Sequence, residues 1–272
     1  MYGDVAPIRF DLDSPPHSSH PATDTIPNSL GFPKLGKFLS MLDEHLLERE
    51  IARRLERYKS KGVSWHFESS KSLVPILAAL YGSWVKDGLA RGVQRLVLLS
   101  KGHGSLAHYA LAESLGVVDE GIVEREFLSP GSPFQAHPEV GKSPLTMVST
   151  GSLGQGLSIG AGLVLAARLS GVRREVAVVL GDGELDEGQV WEAASTASSM
   201  GLGELVAIID RNGFQHTGPT ESVKAKEPLA DRWRSFGWTA VEVGPDARSI
   251  AAALRSGRVG GRPLAVIVRS SW

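Results

Sequence analysis

Two apolar runs that each end in a polar turn constrain the fold of this 272-residue chain more than any other feature. The segment EVAVVLGDGELDEGQVWEA, residues 175–193, is followed by ELVAIIDRNGF, residues 204–214. Aliphatic and β-branched runs bounded by Gly, Asp and Asn are typical of buried strands in a parallel sheet. In such a sheet the carboxyl ends of the strands meet at one edge, where ligands bind. We therefore expect both turns to face the same crevice.

The remainder of the chain alternates short apolar runs with longer helical patterns. This alternation predicts an α/β fold, a parallel sheet flanked by helices on both faces. The predicted strands are 96–99, 176–180, 205–209, 240–243 and 264–268, and the predicted helices are 72–86, 105–115, 152–170, 187–200 and 246–256. Residues 127–147 are rich in Pro and Gly, so we expect a long irregular loop there, and loops of this length are usually functional.

The N-terminal region differs in composition from the rest. Residues 1–33 are crowded with Pro, Ser, His, Asp and Thr and have no hydrophobic period, which predicts a disordered or irregular extension. From Leu35 to Tyr58 apolar residues recur at spacings of mostly three and four, which predicts an amphipathic helix. We therefore expect a single α/β domain over residues 34–272.

Composition narrows the classes of function. The formal net charge is -1, which provides no electrostatic attraction to nucleic acid or to an anionic membrane. The chain contains no cysteine, so disulfides, thiolate metal sites and thiol nucleophiles are excluded, and a reducing, cytoplasmic location is expected. No apolar run approaches the roughly 20 residues that a membrane-spanning helix needs.

Asp182 and Asn212 supply oxygen atoms that could bind a metal ion at the predicted crevice. They follow neighbouring predicted strands and are 30 residues apart. Mg²⁺ prefers oxygen ligands, typically one or two from the protein and others from substrate phosphates. Gly183 leaves room for a phosphate to approach the backbone. A diphosphate bridged by Mg²⁺ is the ligand that this pattern favours.

These residues resemble the thiamine-diphosphate enzymes, whose motif is GDG followed some thirty residues later by Asn. The continuation EG-x-x-WEA is similar to that of the transketolase family, which implies the diphosphate-binding domain of the thiamine-diphosphate-binding fold. The resemblance implies that Asp182, Asn212 and the backbone carbonyl of Phe214 bind Mg²⁺, for which Ca²⁺ or Mn²⁺ could substitute. The implied cofactor contacts at this turn are Gly181, Asp182, Gly183, Glu184 and Asn212.

Two glycine-rich segments resemble further motifs of the same family. LVLLSKGHGS is similar to its S-x-G-H-G-S turn, which implies that His103 lies at the diphosphate. STGSLGQG is similar to its T-G-P-L-G-Q-G loop, which implies cofactor contacts from Gly151, Ser152 and Leu153. The second segment is equally typical of a closely packed glycine-rich helix start, because both roles need small residues.

Three histidines are the implied catalytic residues: His66, His103 and His137. QAHPEVG resembles the G-H-P-E segment that places a histidine in the substrate channel, and VSWHFESS resembles a segment whose histidine orients the substrate. Imidazole suits proton transfer because its pKa is close to neutrality. Trp65 replaces a small residue of the family pattern. His216 stands where the family places an aliphatic residue against the thiazolium ring, and His108 is expected to be structural.

The resemblance also implies a second polypeptide. In this family a glutamate on a pyrimidine-binding domain polarises the aminopyrimidine, and the sequence ends at Trp272 without that domain. We expect an N-terminal subunit of a split transketolase-like enzyme, in an α2β2 heterotetramer with a separate C-terminal subunit that supplies the glutamate. Glu187 then lies near the subunit interface, or it is a carboxylate that stabilises a helix start.

The implied activity is transfer of a two-carbon ketol unit from a ketose, expected to be phosphorylated, to an acceptor. One alternative is the thiamine-diphosphate subunit of a 2-oxoacid dehydrogenase or decarboxylase, which the WEA and H-P-E segments disfavour. Another is a non-catalytic regulatory subunit that contributes only to assembly. A dinucleotide-binding domain is disfavoured because no G-x-G-x-x-G joins an early strand to a helix.

Overall fold

The computed structural model describes residues 43–257 and 260–270. The strands are β1 (Gln94–Leu99), β2 (Arg174–Gly181), β3 (Leu205–Arg211), β4 (Phe214–Gln215), β5 (Gly218–Pro219), β6 (Thr239–Val243) and β7 (Leu264–Arg269). Within these residues, five parallel strands form a sheet of order β1-β2-β3-β7-β6, and β4 and β5 form a small antiparallel hairpin. All five predicted strands are therefore present.

Helices connect the strands. They are α1 (Glu44–Ser60), α2 (Phe67–Ala79), α3 (Lys86–Ala90), α4 (Ser105–Ser114), α5 (Ile122–Glu126), α6 (Gln155–Leu169), α7 (Gly188–Ser199), α8 (Thr220–Val223), α9 (Leu229–Ser235) and α10 (Ala247–Ser256). A π-helical turn, Leu80–Val85, joins α2 to α3. The predicted extension over residues 1–33 and the first part of the predicted N-terminal helix lie outside the described residues.

The sheet separates two hydrophobic cores. Alternate residues of β2 belong to opposite cores: Val176, Val178 and Leu180 to one, Ala177 and Val179 to the other. The first core is closed by α6, α7 and α9, and the second by α1, α2, α4 and α10. Because side chains alternate along a strand, a strand covered on both faces must be apolar throughout, which explains the unbroken runs in the sequence.

Glycines on α6 allow this helix to lie directly on β2. A Cβ atom at Gly160 would be 2.6 Å from Cγ2 of Val178, and one at Gly156 would be 2.5 Å from Cβ of Ser100. Small residues are therefore required for packing along α6. The helix begins at Gln155, three residues later than predicted, after Gly154 in a left-handed conformation with φ of 86°.

Several short elements were not predicted, because each spans seven residues or fewer, which is too short for a hydrophobic period to identify. They are the β4–β5 hairpin and helices α5, α8 and α9. The predicted loop 127–147 is irregular throughout. Among the described residues, no helix is both long enough and apolar enough to cross a bilayer.

The packing of α6 on β2 predicts opposite effects for two glycines of that helix. Gly160→Ala should lower the free energy of unfolding by about 1–3 kcal/mol, because the new Cβ overlaps a buried valine. Gly162→Ala is the matched control: its Cβ would meet nothing within 4 Å, and helix propensity should raise stability by up to about 1 kcal/mol. Urea denaturation measures both, and equal stabilities would contradict the close packing.

Candidate active site

Parallel pairing of β2 with β3 brings the two polar turns together. Gly181 is in register with Asp210, so Asp182 and Asn212 follow adjacent strands at the same edge of the sheet. Asp182 is buried, and its Oδ2 accepts hydrogen bonds from Gly213 N–H and from the Arg211 guanidinium, each at 2.8 Å. Burial raises the pKa of Asp182 above its usual value, and the Arg211 guanidinium opposes that shift.

Both predicted metal ligands retain hydrogen-bonding capacity. Among the described residues, Oδ1 of Asp182 accepts one hydrogen bond, from Gly183 N–H at 2.9 Å, and Oδ1 of Asn212 accepts one from Phe214 N–H at 3.0 Å. Each oxygen therefore has a second lone pair for a cation. No cluster of three or more His, Asp and Glu side chains suited to a metal occurs in the described part of the chain. A cation here would need backbone and phosphate oxygens as further ligands, which fits a magnesium diphosphate.

The Gly183 position is closely approached by the hairpin. A Cβ atom there would lie 2.7 Å from Cβ of Gln215, so only glycine fits. The N–H of Gly183, predicted to donate to a diphosphate, donates to Asp182 in this structure. The side chain of Phe214 is exposed, and the predicted metal contact involves only its carbonyl.

Glu184 ties three loops together. Its buried carboxylate accepts hydrogen bonds from the Ser100 hydroxyl, from Gly154 N–H at 2.9 Å and from Gly181 N–H at 3.1 Å. Burial raises the pKa of Glu184, and these three donors favour its charged form. The carboxylate thus joins the ends of β1 and β2 to the start of α6, a structural function that the sequence did not indicate.

His66 and His103 lie side by side, with ring centroids 5.2 Å apart. His103 is in the turn after β1, and His66 precedes α2 with a left-handed φ of 41°. Burial, with the nearby Lys101 charge, lowers the pKa of His103 to about 3, and burial also lowers the pKa of His66. His103 is therefore neutral at physiological pH and can both donate and accept a hydrogen bond.

His137 packs against the glycines of two neighbouring loops. Cβ atoms placed on Gly151 and Gly102 would lie 3.1 and 3.2 Å from its Cδ2. Gly151 has a φ of 129°, which favours glycine. The neighbouring Thr150 Oγ1 is buried and has no hydrogen-bond partner among the described residues. A buried hydroxyl without a partner is unfavourable, so this corner is suited to a polar ligand atom.

The other residues predicted to contact the cofactor or the partner subunit are exposed or half-buried. His216 is exposed in the turn between β4 and β5, and its charge contributes to the lowered pKa of His66. Ser152 is exposed and accepts a hydrogen bond from Gln155 at 3.0 Å, and Leu153 is half-buried. Glu187 is exposed at the start of α7, where its Cβ covers Gly154.

A buried ion pair beneath the histidines was missed by the sequence analysis. Lys101 donates to Asp210 Oδ2 at 2.5 Å, and the Ser72 hydroxyl donates to the same oxygen at 2.5 Å. Lys101 is 2% exposed and Asp210 is fully buried. The signal was available, since Lys101 is the variable residue of the S-x-G-H-G turn and Asp210 precedes Asn212 by two, but only the fold pairs them.

His108 fixes the long loop that carries His137. Its Nε2–H donates to the carbonyl of Pro144 at 2.7 Å, and the Thr146 hydroxyl is 3.1 Å from the same nitrogen. Burial lowers the pKa of His108 to about 4. These contacts agree with the structural function predicted for this residue.

Comparisons with known proteins identify a consistent set of relatives. Residues 91–271 match the family described as transketolase, thiamine diphosphate binding domain. The chain is 34% identical to one subunit of the apulose-4-phosphate transketolase of Actinobacillus succinogenes, over 76% of each chain. It is 35% identical to the 6-deoxy-6-sulfo-D-fructose transketolase subunit SqwG of a Clostridium species, over 79% of this chain and 80% of that one.

Solved structures show the same relationship. Transketolase from Leishmania mexicana superposes with a TM-score of 0.65 at 27% identity, over 86% of this chain and 36% of that one. The complex of Pichia stipitis transketolase with sedoheptulose-7-phosphate gives a TM-score of 0.65 at 26% identity, with the same coverage. The chain thus spans about a third of the solved chains it matches.

The buried neutral His108 predicts a specific dependence of stability on pH. Its pKa is about 4 in the folded state and about 6.5 in the unfolded state. As pH falls, the unfolded chain therefore binds a proton at His108 before the folded chain does. The free energy of unfolding should fall by about 3 kcal/mol between pH 6.5 and pH 4, and this contribution is fully present above pH 6.5. His108→Gln should remove this component of the pH dependence in urea denaturation. The exposed His45→Gln should not, and an unchanged slope for His108→Gln would contradict the assignment.

Proposed function

The chain belongs to the transketolase family, and from that premise we propose that it is one of two subunits of a ketol transferase that depends on thiamine diphosphate and Mg²⁺. The donor is a phosphorylated ketose, from which a two-carbon unit passes to an acceptor. We also propose a cytoplasmic location, which the absence of cysteine supports.

The proposal depends mainly on the convergence of three loops at one edge of the sheet. Glu184 joins the loop after β1, the turn after β2 and the loop before α6 through hydrogen bonds to Ser100, Gly181 and Gly154. These loops carry the predicted diphosphate, metal and cofactor residues. Ligands of parallel α/β sheets bind at this edge, which supports a common site.

Asp182, Asn212 and the carbonyl of Phe214 would hold the metal, and Gly183 would approach the diphosphate. The remaining lone pairs of Asp182 and Asn212 support this set. Gly183 N–H would exchange its bond to Asp182 for one to a phosphate oxygen. When bound, thiamine diphosphate supplies the thiazolium group that makes and breaks the carbon–carbon bond.

The histidines would orient the substrate and move its protons. His103 and His66 favour the neutral form, because burial and nearby positive charge lower the pKa of each. A neutral imidazole can accept a hydroxyl proton at one nitrogen and donate a hydrogen bond from the other. His137 would line the channel beside Gly151, with which it packs.

The remaining parts of the site would come from a second polypeptide. Both of the curated relatives described above are named as subunits of a transketolase, which supports an enzyme built from more than one chain. We propose that a C-terminal subunit supplies the pyrimidine-binding domain and its glutamate, in an α2β2 assembly. The names of these two relatives specify sugars with a phosphate or sulfonate group, which supports a sugar with an anionic tail as the substrate class.

The proposed metal site predicts that Asp182→Asn weakens magnesium-dependent binding of thiamine diphosphate at least about tenfold, because a neutral amide is a poorer ligand for a divalent cation. Calorimetric titration of the full chain, with its partner subunit present, measures this. Glu192→Gln is a control that removes a carboxylate from the exposed face of α7. Wild-type affinity in Asp182→Asn would refute the metal assignment.

The channel assignment predicts that His137→Ala lowers kcat on a ketose-phosphate donor by about 100-fold, because proton transfer and orientation are lost. The dissociation constant for thiamine diphosphate should stay within about twofold of wild type, a difference of about 0.4 kcal/mol. Steady-state kinetics of the two-subunit enzyme measure the first quantity, and calorimetry the second. An unchanged kcat would favour a regulatory role for this chain, and loss of folding would favour a purely structural role for His137.

A further inference from the structure

Arg211 places a buried positive charge beside the proposed metal site. The side chain is 6% exposed and lies at the end of β3, directly before Asn212. Its Nη1 donates to Asp182 Oδ2 at 2.8 Å and also to the Thr220 hydroxyl. A guanidinium cannot lose its proton in a protein, so this charge is permanent.

Two carboxylates hold Arg211 in place from the other side. Nη2 donates to Glu221 at 2.6 Å, and both Nε and Nη2 donate to Glu227 at 3.2 Å. Arg269 pairs with Glu227 as well, at 2.9 Å for each carboxylate oxygen. All donors of the Arg211 guanidinium thus have acceptors, and the side chain is fixed against Asp182.

This arrangement orients the Asp182 carboxylate. Arg211 and Gly213 N–H occupy Oδ2, so Oδ1 is the oxygen that would face a cation. The same arrangement disfavours binding of a cation in the absence of a diphosphate. A divalent ion at Oδ1 would lie on a carboxylate whose other oxygen is already ion-paired with Arg211, in a buried setting where screening by water is weak.

We propose that Arg211 makes metal binding conditional on the diphosphate. This inference rests on the proposed function of the site and concerns the order and coupling of ligand binding. Mg²⁺ alone binds weakly because the positive charge of Arg211 lies against the Asp182 carboxylate. The phosphates of the cofactor supply further negative charge, which favours binding of the metal. Coupling is reciprocal, so the metal strengthens cofactor binding by the same factor. Arg211 acts through Asp182 and is a positioning residue.

The test uses Mn²⁺ as a probe, with free ion measured by electron paramagnetic resonance. The full chain with its partner subunit is titrated with Mn²⁺ alone and with saturating thiamine diphosphate. The wild type should bind Mn²⁺ at least about tenfold more tightly with the cofactor than without it. Arg211→Met should bind Mn²⁺ alone about tenfold more tightly than wild type does, which reduces the coupling.

Three further variants distinguish the effect of the Arg211 charge on Mn²⁺ affinity from the effect of lost packing and from that of carboxylates left without a cationic partner. Arg211→Lys keeps the cation and should keep the coupling. Arg211→Met combined with Glu221→Gln leaves the local net charge unchanged and should still bind Mn²⁺ alone tightly. Arg269→Met is the matched control, because it removes a cation that shares Glu227 with Arg211 and has no contact with Asp182 among the described residues. Arg269→Met should bind Mn²⁺ with the wild-type affinity, both with and without thiamine diphosphate. Thermal unfolding checks that each variant is folded.

The outcomes distinguish this inference from the proposed function. Wild-type coupling in Arg211→Met and in the double variant would overturn the inference and leave the cofactor site intact. Equal loss of coupling in Arg269→Met would also overturn it, because the effect would then be one of overall charge. A wild-type complex that binds neither Mn²⁺ nor thiamine diphosphate would refute the proposed function, and the inference with it.

Discussion

The pairing of β2 with β3 is the constraint on which the rest of the molecule depends. The central residues of both strands are apolar because each strand is covered on both faces, and the register sets Gly181 level with Asp210. A shift of one residue would transfer every side chain of a strand to the opposite core, so the register is strongly specified. The polar residues that follow these strands are therefore fixed relative to one another before any ligand binds.

Buried charge organises the edge of the sheet. Glu184, Asp182 and Asp210 are all nearly or fully buried, and each accepts hydrogen bonds from backbone, hydroxyl or cationic donors. Buried charges are costly unless they are paired, so these contacts stabilise the loops in the arrangement that keeps each charge paired. Lys101 pairs with Asp210, and Arg211 pairs with Asp182 as well as with two further carboxylates, whereas His103 remains neutral. This edge of the sheet thus combines ion-paired carboxylates with the neutral imidazole of His103.

The sequence predicted the elements better than the connections between them. Five strands and the main helices follow from hydrophobic periodicity, and the turns at Asp182 and Asn212 follow from parallel-sheet geometry. The start of α6 was misplaced because Gly154 adopts a left-handed conformation that the helical pattern does not reveal. Arg211, Lys101 and the structural function of Glu184 were missed, since each depends on partners that only the tertiary fold brings close. The roles assigned to the three histidines remain predictions.

The most direct test of the account is the position of the metal in a crystal of the full chain grown with its partner, Mn²⁺ and thiamine diphosphate. Anomalous diffraction at the manganese absorption edge locates the ion independently of the protein atoms around it. The account predicts one peak bound by Asp182 Oδ1, Asn212 Oδ1 and the carbonyl of Phe214, with diphosphate oxygens completing the coordination. A diphosphate bound elsewhere, or a metal held without Asp182, would contradict it.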